Sequence, residues 1–153
     1  MTGEPFPRRS AGESYQANAI EGASQGQLIV MLFDGGIRFL HQATYALERG
    51  DLEKACEAML RAKAIVAHLM GSVRSDAVPE LARSLKQLYL FCYEGITAAN
   101  LDKSAARLGP VIRVLTSLRS AWQQVALQDK ASGPSVSSTG SGGADSLYLS
   151  VTT

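Results

Sequence analysis

Three features of the 153-residue sequence predict an all-α protein, an antiparallel up-down four-helix bundle with a short N-terminal cap segment and a disordered C-terminal tail. Apolar residues recur at spacings of three and four through four stretches, the period of a helix with a face to bury. The first two stretches are joined by little more than Gly50-Asp51, which forces the helices they form to run antiparallel. No stretch alternates apolar and polar residues as a half-buried strand does, and four amphipathic helices with short joints pack naturally as a bundle.

The first helix begins at Ser24, an N-cap followed three residues later by Gln27, the spacing of a capping box. It runs to Arg49 and stops at Gly50, a good residue just past a helix end. Asp51 caps the second helix at once, and that helix runs to about Met70 and ends at Gly71. "SVRSDAVPE" is a loop, and Pro79 suits the first turn of a third helix reaching about Asn100. Asn100, Asp102 and Ser104 supply turn and cap chemistry for a fourth helix that ends near Gln128. Pro110 and Gly109 weaken the start of that helix and predict a short irregular or kinked entry.

Composition divides the chain into a flexible N-terminus over 1–13, a helical domain over 14–128 and a tail over 129–153. The tail contains "ASGPSVSSTGSGGADS", which cannot build a core, and is predicted to be disordered despite the β-prone "LYLSV" near its end. A net charge of +1 leaves no basic field for nucleic acid and no polybasic membrane anchor. No apolar run approaches the ~20 residues that span a bilayer, so no membrane insertion is expected. "MTGEPFPRRSAGES" has arginines but no apolar stretch behind them, unlike a signal peptide. Cys56 and Cys92 read as reduced core residues.

Catalytic chemistry finds no foothold. The two histidines, His41 and His68, have Arg38 and Ile65 three residues before them, so the Glu-x-x-His pairs of di-iron bundles are absent. No two of the cysteines and histidines stand at zinc-ligand spacing. Asp34-Gly35-Gly36 lies within a helical pattern and follows no strand, so it reads as a close-packing point and not a phosphate loop. No cofactor, metal or catalytic residue is expected.

Apolar surface is in excess. The second helix has one stripe, Leu52, Cys56, Met59, Ala62, Val66 and Met70, and the fourth has Leu108, Val111, Ile112, Leu115, Leu118, Trp122 and Val125. The first helix has two stripes about 120° apart at 100° per residue. Leu28, Leu32, Phe39, Ala43 and Ala46 suit the core, and Ile29, Phe33, Ile37, Leu40 and Leu47 form the surplus. The third places Leu81, Leu85, Leu88, Cys92 and Ile96 inward, Tyr89 and Tyr93 on a second stripe, and Leu90 and Phe91 elsewhere.

Two readings fit this surplus. In one, each extra stripe packs on a second neighbour within the bundle. In the other, the surplus around Leu28, Ile29, Leu32, Phe33 and Ile37, with Tyr89 and Tyr93, lines a binding groove, since apolar patches above a few hundred Å² mark interaction sites. The segment from Tyr15 through Asn18 to Ile20 then stands where the chain can cover the empty groove.

The series Tyr15-x-x-Asn18-x-Ile20, Ala23-Ser24-x-x-x-Leu28 and "MLFDGGIRFL", then "ALERGDLE", Lys63-Ala64, "LYLFCYEGITAAN" and Leu118-Arg119-x-x-Trp122, resembles the flagellar secretion chaperone FliS family over residues 15–122. Gln25 stands where the family often has proline. The resemblance implies a cytosolic chaperone that binds the disordered C-terminal segment of flagellin, prevents its premature polymerisation and helps deliver it to the gate of the flagellar type III export apparatus. It also implies an N-terminal segment that lies on the bundle where the client later binds. The alternative is a self-associating helical adaptor, its surplus surface buried in a homodimer without a flagellin client.

Overall fold

The computed structural model describes residues 24–74 and 78–132, with side chains to residue 128. Four helices follow in order: α1 (Gln25–Glu48), α2 (Leu52–Gly71), α3 (Pro79–Asp102) and α4 (Leu108–Ser132). A 3-10 turn over Ala105–Arg107 precedes α4. Each helix packs on two others, α1 on α2 and α4, α3 on α2 and α4, in an up-down ring around one core.

The helix ends follow local chemistry. Ser24 Oγ accepts from the Gln27 amide at 3.2 Å and Gln27 Oε1 accepts from the Ser24 amide at 2.9 Å, so the capping box is complete. Gly50 takes φ +79°, open to glycine at little cost, and turns the chain into Asp51. Asp51 Oδ1 accepts from the Lys54 amide at 3.2 Å. Pro79 opens α3, where a missing N–H leaves no bond unmade. Lys103 closes α3 in the left-handed region at φ 52°, its ammonium donating to Asn100 Oδ1 at 2.8 Å. Pro110 falls in the first turn of α4, where backbone N–H groups have no intrahelical partner, and the irregular entry is the 3-10 turn before it. The helix runs on to Ser132, past the expected end near Gln128.

The core corrects the assignment of stripes. In α1 the buried row is Gly26, Ile29, Phe33, Gly36, Leu40 and Ala43, while Leu28, Leu32 and Phe39 are only partly buried. The surplus stripe of the sequence is therefore mostly the core stripe. The glycines decide it: a Cβ on Gly35 or Gly36 would lie 3.3 or 3.5 Å from the Ile65 side chain, so α2 sits directly against this face. In α2 the inward row is Ala55, Met59, Ala62, Val66 and Leu69, with Leu52 exposed and Cys56 and Met70 at its margin. In α3 it is Ala82, Leu85, Tyr89, Cys92, Ile96 and Ala99, leaving Leu81 and Leu88 exposed. Alanine and glycine rows were undervalued because they carry little hydrophobic area, yet they let backbones approach.

Polar ties fix the order of the helices. The Asp34 carboxylate of α1 accepts from Arg119 Nε of α4, with Nη2 at 3.4 Å from Oδ2, and Arg119 Nη1 donates to Gln123 at 2.8 Å. The hydrogen bond to Asp34 raises the Arg119 pKa further. The Trp122 indole of α4 donates to the buried Tyr89 hydroxyl, so a core tyrosine has its polar end satisfied.

At Gly95 α3 comes very close to α4, since a Cβ there would stand 2.7 Å from Val111 Cγ2. Val111 is buried and stiff at χ1, so it cannot swing aside freely. Gly95→Ala is expected to lower unfolding stability by about 1–3 kcal/mol, despite a helix-propensity gain of about 1 kcal/mol. Urea denaturation measures this, and a rise in midpoint would show that Val111 yields.

Burial also sets an alkaline limit. It pushes the Cys92 thiol from 9.0 up to about 12. Burial raises Tyr89 above its ordinary value too, against a lowering by the Trp122 hydrogen bond. Both groups stay neutral in the fold while the unfolded chain ionises, so their contribution is intact below the unfolded pKa and lost as pH rises. For Cys92 the window is about pH 9 to 12. Urea midpoints should fall through that window, less steeply in Cys92→Ala. Identical slopes for the two proteins would rule out Cys92 as the cause.

Candidate functional site

The apolar surface left uncovered centres on α3. Leu81, Leu88, Leu90, Phe91 and Leu101 are exposed, and all lie on this helix. Its core row is narrow, so the leucines on either side of it stay outside.

One flank faces α4. Leu81, Leu88, Phe91 and Gly95 follow at spacings of seven, three and four, which places them on one face of the helix. Gly95 brings that face onto Val111, but Leu88 and Phe91 remain 38% and 50% exposed. Across from them α4 offers the partly buried Val114, Leu118 and Val125. Exposed Leu88 and Phe91 together with these partly buried α4 residues make an apolar strip that meets Val111 at Gly95.

The other flank faces α2. Lys63 Nζ stands 4.7 Å from the centre of the Tyr93 ring, and Asn100 Nδ2 donates to Cys56 Sγ at 3.6 Å. Leu60 lies between Cys56 and Lys63 on the same row of α2 and is half exposed. Leu90 adds to this side, beside a shallow recess of about 430 Å³ lined by Met70, Pro79, Arg83, Lys86 and Gln87. Both flanks carry exposed apolar side chains, and the α2 flank is edged by Lys63, Arg83 and Lys86, features suited to an amphipathic helix or an extended apolar segment.

Of the expected binding residues, Tyr93 lies on this surface, half buried under Lys63. Ile29, Phe33 and Tyr89 are instead core: Ile29 is 2% exposed, and the Phe33 and Tyr89 rings pack with centroids 6.3 Å apart. Leu28 and Leu32 are half buried, and Ile37 packs against the core. Tyr15, Asn18 and Ile20 lie outside the described residues, so the covering segment is not placed. The tail beyond 132 lies outside them as well.

Sequence reasoning missed Leu60, Leu81, Leu88 and Leu101 as surface residues. A usable signal was present: Ala82, Leu85, Tyr89, Cys92, Ile96 and Ala99 form an unbroken row at spacings of three and four, which pushes Leu81 and Leu88 to its edge.

Among the described residues no cluster of three or more His, Cys, Asp or Glu could hold a metal ion. None of the described helices is long and apolar enough to cross a membrane.

The sequence model of a family described as "Flagellar protein FliS" matches residues 8–129. The chain is 30% identical over 111 residues to the flagellar secretion chaperone FliS of Bacillus subtilis, covering 72% of this chain and 82% of that protein. It is 33% identical over 109 residues to the protein of the same name from Salmonella typhimurium, covering 71% and 81%. The Campylobacter jejuni FliS is 30% identical over 115 residues, covering 75% and 90%.

Proposed function

The chain belongs to the FliS family of flagellar secretion chaperones, and on that premise we propose that the two flanks of α3 receive the C-terminal segment of flagellin. As a member of a chaperone family the protein is not an enzyme. The observation that carries the site is the concentration of exposed leucine and phenylalanine on α3, on both sides of a helix already anchored by its own core row. A client segment that is disordered when free buries its apolar side chains there and folds on docking, at an ordering cost of a few kcal/mol. While bound, those side chains are unavailable for polymerisation. Because the contacts are apolar and non-covalent, release needs no ATP, and the chaperone passes the chain to the flagellar type III export gate from the cytosol.

The test is calorimetric titration with a synthetic peptide of the flagellin C-terminal segment, with the mass of the complex measured in solution. The reading requires saturable one-to-one binding with a negative heat-capacity change, the mark of apolar burial. Absence of binding by a protein that is a stable dimer would favour the self-associating adaptor, since the same leucines could pair two copies.

A further inference from the structure

A second recess lies away from α3, between α1 and α2. It is an open groove of about 640 Å³ whose lining includes Arg38, Phe39, Ala46, Lys54, Ala58 and Arg61. Its chemistry differs from that of the α3 flanks. Phe39 is partly buried, and guanidinium carbons from both helices approach it, Arg38 and Arg61 each 5.7 Å from the ring centroid. Those two charges are therefore at most twice that distance apart. Arg61 bonds Glu57 at 3.0 Å in an exposed pair, which solvent weakens. Arg38 makes no ion pair among the described residues. Arg38, Lys54, Arg61 and His41 face the groove, with Glu57 the carboxylate in its lining and Lys54 also 3.9 Å from Asp51 in an exposed pair, which leaves Arg38 as the cation without a carboxylate among the described residues.

We propose that this α1–α2 groove docks an acidic amphipathic helix of a second protein, with its carboxylates on Arg38 and Arg61 and an apolar side chain between them on Phe39, Ala46 and Ala58. Guanidinium groups favour paired, planar acceptors, so carboxylates are the fitting ligands. Stacking against Phe39 holds the guanidiniums in place before the partner arrives and reduces the entropy lost on binding. On a helix, carboxylates four to seven residues apart lie about 6 to 10.5 Å from one another along the axis, within the upper limit set by the two arginines' distances to Phe39. A membrane surface is less suited: the cations line a concavity, and Glu57 stands among them. The groove is on the opposite side of α2 from the row bearing Cys56, Leu60 and Lys63, so this partner and a client on α3 can be held at once.

The probe is a helix-stapled peptide of about 14 residues with a leucine face flanked by glutamates, paired with a version carrying glutamine at those positions. The glutamate peptide should bind the full-length chain at least about tenfold more tightly than the glutamine peptide, and weaken as salt rises. Arg38→Glu with Arg61→Glu should abolish the difference while leaving the thermal midpoint within a few degrees, because both side chains sit at the surface. Flagellin C-terminal peptide should not compete. Equal binding of the two peptides by the wild-type chain overturns the proposal, as does a charge reversal that changes nothing. So does competition by flagellin peptide, which would make the groove part of the client site. Phosphatidylglycerol vesicles that bind through these arginines when the peptide does not would assign the groove to a membrane. A wild-type dimer that falls apart on charge reversal would assign it to a second copy.

Discussion

Ile29→Glu is expected to unfold the protein or bring it close to unfolding. Ile29 is 2% exposed and belongs to the row that continues through Phe33, Gly36 and Leu40. The substitution removes apolar burial worth about 1.5–3 kcal/mol. It also places a carboxylate in a buried apolar row, and an uncompensated buried charge costs about 3–5 kcal/mol. A domain of this kind has about 5–15 kcal/mol in total. Far-ultraviolet circular dichroism and urea denaturation should show a large loss of midpoint, with client binding lost only as a consequence. A variant that keeps its midpoint and loses only client affinity would place Ile29 in the groove and revive the surplus reading of its stripe.

Leu88→Glu combined with Phe91→Glu is expected to have the opposite signature. Both side chains are outside the core but partly covered, so the free protein is expected to lose about 1–3 kcal/mol and remain folded. The client loses two apolar contacts of about 1 kcal/mol each, judged from the area still open. It must also desolvate two carboxylates in an apolar interface, at about 1–3 kcal/mol for each polar group left without a partner. Client affinity should fall about 100-fold or more, with helical circular dichroism unchanged. Calorimetry against the flagellin C-terminal peptide reads the change, and the Arg38→Glu chain serves as a control of similar charge. Full affinity in the double variant would remove the α4 flank of α3 from the client site.

These variants differ in outcome because neighbouring apolar rows on a helix lie closer in angle than sequence can resolve. In α1, Leu28 and Ile29 are equally apolar and adjacent, and only Ile29 is buried. The candidate site was legible in part. Leu90 and Phe91 stood out as apolar surface belonging to no stripe, and Tyr93 was assigned to binding, all on α3. The leucines on the margins were hidden because they fitted a helical period as well as the true core row did. Asp34 and Arg119 sit 85 positions apart in motifs that showed no relation in sequence, yet they form an ion pair across the bundle.

What the sequence determined by itself is local: where helices begin and end, through Ser24 with Gln27, Gly50, Asp51 and Pro79. These depend on hydrogen bonds and backbone angles within a few residues, which composition and spacing encode directly. Only the tertiary structure decided which face of each helix is inside. That choice rests on how closely two backbones approach, at Gly35 and Gly36 against Ile65 and at Gly95 against Val111. There the absence of a side chain determines the packing, and a residue that contributes no hydrophobic area leaves no mark in a pattern read from hydrophobicity.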